Sequence, residues 1–200
     1  MTDLHQANQA ANAAQIAYFR AIPWCAAHLP PSPDLTIAQS QSRTLSPTYE
    51  HALLARTLNN PAAIPAYIAF YPLPPSPDTL VREVRAFLAL GPLVNGWEGL
   101  CHGGVVATML DETMAAVVDV NKRRGLMAQT APMVTGRLAV TYLRPVRTGT
   151  VDKARVVLVV GRLARVEGRK YTLEGEVQEE GGEVLAKGES VFFELKAGRL

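Results

Sequence analysis

The chain is short of several things, and each shortage closes off a class of protein. Only two of its 200 residues are cysteine, Cys25 and Cys101, and they stand far apart. No C-x-x-C pair and no Cys/His zinc spacing occurs, so two free thiols are expected rather than a disulfide scaffold or a structural metal. Charge of either sign is scarce in excess: the formal net charge is +2, with both signs interspersed. A basic run, "NKRRG" at Asn121–Gly125, is too short to make a phosphate-binding surface, which argues against a nucleic-acid partner. No apolar run approaches the roughly 18 residues of a membrane span. The first twenty residues carry an acid at position 3 and no continuous apolar stretch, so no secretory signal is expected; with one arginine they also make a poor transit peptide. The last three residues only loosely resemble a peroxisomal tail. Cytosol is the default expectation, with peroxisome and mitochondrion as alternatives.

What is present is ordinary globular material: 48% hydrophobic and 19% charged residues, enough for one good core. The texture divides the chain in two. Residues 1–60 read as an N-terminal extension. Within it, residues 3–20 suit a polar helix, and "PWCAAHLPPSPDLT" carries prolines that forbid a long helix or central strand. "SPTYEHALLARTLNNP", Ser46–Pro61, predicts a helix with Ser46 as N-cap, Pro47 in the first turn and Pro61 as the stop. The aromatics Tyr18, Phe19 and Trp24 suggest a cap over a substrate tunnel. Residues 61–200 form the main domain. "AIPAYIAFYPL" reads as an edge-type strand and "VREVRAFLALG" as another. Four more follow after residue 130: "MVTGRLAVTYLRPV", "DKARVVLVVGRLA", "RKYTLEGEVQE" and "EVLAKGESVFFEL", the last two joined by a hairpin at Gly181–Gly182. The order is strands, one helix, then antiparallel strands, an α+β plan with one helix against a curved sheet.

The chemistry gathers in "GWEGLCHGGVVATMLDETMAAVV", Gly96–Val118. Val106, Met109, Leu110, Met114, Val117 and Val118 recur at helical spacing, predicting a helix from about Gly103 to Arg124 that ends in cations and a glycine. Asp111 interrupts that stripe among small and apolar neighbours, where burial should raise its pKa. Glu112 points about 100° further round and is a second candidate acid. The helix start leaves backbone N–H groups without partners, and glycines there admit close approach of a ligand oxygen. His102 suits either an N-cap or a direct contact with substrate. Cys101 beside it invites a Cys–His pair, but adjacent side chains seldom converge and no third orienting group is evident.

With those residues in view, "HGGVVATMLDE" resembles the central-helix signature of the hotdog-fold acyl-CoA thioesterase superfamily, in its phenylacetate-type and THEM-type branch. "VTYLRPVRTGT" and "AKGESVFFEL" resemble strands of the same family, so that the likeness covers roughly residues 62–195. It implies an antiparallel sheet wrapped around one long helix, and homodimers or dimers of dimers with sites at the dimer interface. It implies hydrolysis of acyl-CoA or acyl-carrier thioesters, with coenzyme A entering only as part of the substrate and no cofactor or metal. By the resemblance, Gly103, with Gly104 and His102, forms the oxyanion turn. Asp111 is the catalytic acid, and Thr135 matches a hydroxyl near the attacking water. Asn95, Glu112, Arg144 and Arg147 are the candidate substrate contacts, and Arg162 is a further cation for phosphate. Two departures stand out: relatives carry a polar side chain six or seven residues before the His, where this chain has Gly96 and Asn95, and Glu98 stands where proline is common. The rival functions are a hydratase, dehydratase or isomerase of acyl or polyketide-like substrates on the same fold, and a non-catalytic acyl binder.

Overall fold

A computed structural model describes residues 13–38, 41–44, 46, 48–128 and 132–195. Helix α1 (residues 13–20) and the short α2 (Pro23–His28), which has its proline in the first turn, lead into β1 (Leu35–Ala38). Then come β2 (Tyr67–Pro72), β3 (Glu83–Leu90) and a small hairpin of β4 (Asn95–Trp97) and β5 (Leu100–Cys101). The long helix α3 (Gly103–Arg123) follows, then β6 (Met133–Tyr142), β7 (Arg155–Glu167), β8 (Lys170–Gln178) and β9 (Val184–Glu194). Seven strands form one antiparallel sheet in the order β1-β2-β3-β7-β8-β9-β6. This is the hotdog arrangement: the sheet curls around α3, which buries Val106, Met109, Leu110, Met114, Val117 and Val118 against it.

Alternation along the strands divides the core between the two faces of the sheet. Ala69, Val84, Ala86, Leu88, Val157, Val159 and Leu173 face α3. Ile68, Phe70, Phe87, Val156, Leu158 and Val160 face outward and are covered by Phe19, Cys25 and Leu29 of α1 and α2. Under the helix, Gly161, Gly175 and Gly188 pair in one row across β7, β8 and β9. A Cβ at Gly161 would sit 2.8 Å from the Thr113 carbonyl oxygen, and at Gly175 3.1 Å from Leu110. The row therefore lets α3 lie close to the sheet. Gly181 and Gly182, at φ +94° and +84°, turn β8 into β9 as their sequence predicts.

Three expectations require correction. The helix across residues 46–61 is reduced to one π-type turn, Leu53–Thr57. Ser46 Oγ accepts from the Thr48 amide, and Tyr49 and His51 take φ of +62° and +59°, so the backbone leaves helical geometry before the turn begins. Pro47, its expected first-turn residue, lies outside the described residues, as do residues 3–12 of the expected polar helix. Strand β2 is internal, because β1 pairs along it from Leu35↔Pro72 to Ala38↔Ala69. Phe19 and Trp24 cap no tunnel beside α3: they pack on Phe87 with ring centroids 5.6 and 5.0 Å away, on the far face of the sheet.

Candidate active site

The start of α3 is built by His102. Its backbone is extended, φ −61° and ψ 133°, and its imidazole Nδ1 accepts the Gly104 N–H at 3.0 Å, closing the helix as an N-cap. The acceptor role places the ring proton of the neutral imidazole on Nε2. Gly96 lets the ring lie against β4, since a Cβ there would sit 3.1 Å from His102 Cδ2. The His102 carbonyl takes the N–H of Val105 at 2.9 Å and of Val106 at 3.1 Å. Of the first amides of the helix, that leaves Gly103 N–H, at N1, outside the described hydrogen bonds and at the positive end of the dipole. Gly104, by contrast, has its donor engaged by the cap.

Two turns on, Asp111 is half-buried and faces β6. Thr135 Oγ1 donates to it, 3.1 Å from Oδ1 and 3.2 Å from Oδ2. A bulge aims that hydroxyl: the β6–β9 register shifts between Thr135 and Arg137, around Gly136. A Cβ on Gly136 would fall 2.5 Å from the Phe193 ring, so glycine is what allows the strand to kink there. Burial pushes the Asp111 pKa above the usual aspartate value; the Thr135 hydrogen bond works against that rise, and the neighbouring charge of Glu112 adds to it. A carboxylate so placed is a stronger base than a solvated one.

Residues 98–186 match the family model described as "Thioesterase superfamily". That stretch, from the hairpin before α3 into β9, is thus similar to the thioesterase superfamily. Over 121 residues it is 28% identical to acyl-coenzyme A thioesterase THEM4 of Xenopus laevis, a match that covers 60% of this chain and 46% of the relative. The chain thus spans under half the length of that curated relative. Among solved structures, the BH2602 protein of Bacillus halodurans, crystallised with CoA, is 29% identical, covering 58% of this chain and 70% of that one at a TM-score of 0.48. A putative thioesterase of Ralstonia eutropha JMP134, described as phenylacetic acid degradation-related, is 20% identical over 56% of this chain and 75% of that one, at 0.47.

The remaining candidate residues scatter. Asn95 Oδ1 accepts from Thr148 Oγ1 at 2.6 Å, which ties it to the loop before β7. A cleft of about 760 Å³ opens there, lined by Asn95, Glu98, Thr148 and Arg155 among others, and its lining contains neither Gly103 nor Asp111. Glu112 is held by Ser42 Oγ at 2.6 Å. Arg144 is paired with Glu183. Arg147 is exposed and bridges Leu100 of β5 through its backbone. Arg162 belongs to an ion cluster with Glu83 at 2.8 Å and Glu176 at 3.4 Å, on the sheet and away from the helix start. Cys25 and Cys101 are both free, and burial pushes each thiol up to about 12, so neither supplies a thiolate at neutral pH. Among the described residues, no group of three or more His, Cys, Asp and Glu is placed to hold a metal ion. No described helix is long and apolar enough to cross a membrane.

Two neighbours of the site were not legible in the sequence. Tyr142, on β6, donates its hydroxyl to the Gly103 carbonyl at 2.8 Å and lays its ring beside that glycine. Its place at the end of an alternating strand predicts an inward side chain but not the contact. Ser42 carries no local signal at all, because its partner lies 70 residues away.

Proposed function

We propose that this protein hydrolyses acyl thioesters, of coenzyme A or of an acyl carrier, at sites shared between two copies of the chain. The observation that carries this reading is the division of labour along α3: an uncommitted N–H at Gly103 and a half-buried, hydroxyl-supported carboxylate at Asp111. The donor suits the oxygen of a thioester carbonyl and, more strongly, the oxyanion formed on attack. The acid suits delivery of the attack, through a water that it deprotonates or with its own oxygen. Collapse of the tetrahedral intermediate expels the thiolate, and the products are a carboxylic acid and a thiol. In a single turnover in ¹⁸O-labelled water, an acid product without the label marks direct attack followed by hydrolysis at the aspartyl carbonyl, because its second oxygen then comes from the enzyme.

One chain does not complete the site. Gly103 and Asp111 are eight residues apart on one helix, about 12 Å along its axis. An oxyanion donor and a base acting on the same carbonyl carbon must lie far closer than that. Support for a second copy comes from β6. It is the sheet's outer strand beside β9, it runs for ten residues, and it carries both Thr135 and Tyr142. Such an edge needs a partner or a cover. Pairing two β6 edges about a two-fold axis brings the α3 start of one copy toward Asp111 of the other.

The test is hydrolysis of a panel of short, long and aromatic acyl-CoA esters and acyl-carrier esters by the wild type, Asp111→Asn and Asp111→Ala. The reading requires turnover by the wild type and a loss of about two orders of magnitude or more in both variants. Equal rates in all three would overturn it.

A further inference from the structure

The N-terminal segment reaches the catalytic helix as well as the back of the sheet. After β1 a 3-10 turn, Gln41–Arg43, comes down on α3, where Ser42 Oγ donates its 2.6 Å hydrogen bond to Glu112 Oε2. The turn is anchored by the next residue. Arg43 donates to the carbonyls of Leu54 at 3.0 Å and Ile64 at 2.6 Å, and its guanidinium carbon lies 5.7 Å from the centre of the Tyr67 ring. Burial lowers the Arg43 pKa to about 10, which still leaves it charged at neutral pH. A half-buried guanidinium with two carbonyl partners fixes the turn to the core and leaves Ser42 little freedom to move away. The contact is partly buried and joins a segment outside the thioesterase match to the residue next to Asp111.

We propose that Ser42 is a positioning residue for the carboxylate pair of α3: it pins the Glu112 side chain beside Asp111, so that the N-terminal segment is a working part of the thioester site. The inference rests on the hydrolase reading above. Among the described residues, the side chains hydrogen-bonded to the pair are Thr135 and Ser42, and the nearby charged groups are otherwise engaged. From β6 comes Thr135, bound to Asp111. From the N-terminal segment come Ser42, bound to Glu112, Arg43, turned onto carbonyls and the Tyr67 ring, and His51, whose charge acts on Asp119. Along α3 itself, Asp119 pairs with Arg123. Glu112 is therefore the charge that acts on Asp111, and Ser42 is the group that holds Glu112 in place.

The experiment is the pH dependence of kcat/KM, with melting temperature measured alongside, for the wild type, Ser42→Ala, Ser42→Thr, Glu112→Gln, the Ser42→Ala/Glu112→Gln double variant and Asp111→Asn. Glu112→Gln removes the negative neighbour, so the acid limb moves to lower pH. Ser42→Ala moves it the same way by less, because an unheld Glu112 side chain is free to swing away from Asp111. It also lowers kcat by about threefold to tenfold, the scale of one lost hydrogen bond. Ser42→Thr keeps the wild-type profile, and Ser42→Ala adds no further shift once Glu112 is Gln. A Ser42→Ala enzyme whose acid limb stays in place, whether or not its melting temperature falls, overturns the proposal while Asp111→Asn remains inactive. An Asp111→Asn enzyme as active as the wild type overturns both this proposal and the hydrolase reading.

Discussion

Gly103→Pro separates the chemistry of the helix start from its folding. Proline is favoured at N1 because the N–H it lacks has no intrahelical partner and its fixed φ suits the first turn. It also demands an extended residue before it, which His102 already is, at ψ 133°. The cap is untouched, since it runs from the Gly104 N–H to His102 Nδ1. A side chain at 103 meets Tyr142 at 3.4 Å, an ordinary contact. The substitution therefore deletes one hydrogen-bond donor and little else. Loss of one oxyanion donor costs about 3 kcal/mol, or about two decades in kcat. The assay is steady-state hydrolysis of the best acyl-CoA substrate, with thermal melts of both proteins. The expected result is a melting temperature within about 3 °C of wild type and kcat down about a hundredfold. Gly103→Ala, which keeps the N–H, should lose far less. A folded Gly103→Pro enzyme with kcat near wild type would show that this amide does not hold the oxyanion.

Other outcomes follow from the same geometry. Asp111 has a raised pKa and must be ionised to act, so kcat/KM should be lost as pH falls through a range above that of an ordinary aspartate. Thr135→Ala removes the hydrogen bond that opposes the rise, so the acid limb should move to higher pH, while Thr135→Ser should leave it in place. A raised folded-state pKa means that ionised Asp111 costs stability, a cost that appears as pH rises from the unfolded to the folded value. Asp111→Asn should therefore melt higher than wild type at neutral pH, and the gap should close in acid. Phe87→Ala empties the outer-face cluster and should cost about 3–5 kcal/mol in denaturant titrations without changing acyl-chain preference. Cys101→Ser should stay active and the wild type should resist thiol reagents, because the thiol is pushed up to about 12.

Much of the fold was legible because it follows local rules. The apolar positions of α3 recur at 3.6-residue spacing, and all six that the pattern picks out are buried. Gly181–Gly182 announces its hairpin by composition alone. Asp111 stands out as an acid in an apolar stripe, and the turn before the helix carries its own capping residue. What escaped depends on partners distant in sequence. Leu54 and Leu58 do reach the core, which is why Ser46–Pro61 imitates an amphipathic helix, yet Tyr49 and His51 break the helical backbone between the expected cap and those leucines. The edge character of β2 vanishes because β1, four residues out of a proline-rich stretch, pairs with it. The paired glycines at 161, 175 and 188 mean nothing singly, and only the register of three strands lines them up under the helix. The placement of Phe19 and Trp24 on the back of the sheet, and of Ser42 on the front, likewise reflects the path of the segment around the β1–β2 edge and no motif of its own.

The central claim is that the oxyanion donor and the base of one site come from different chains, and subunit mixing tests it most directly. Gly103→Pro and Asp111→Asn should each be nearly inactive alone. Co-expressed with different tags and purified through both, the mixed assembly pairs the intact Gly103 of one chain with the intact Asp111 of the other. One of its two sites is then complete, and it should recover about half of wild-type activity. Activity no greater than that of the two parents, in an assembly shown to contain both chains, would contradict a shared site.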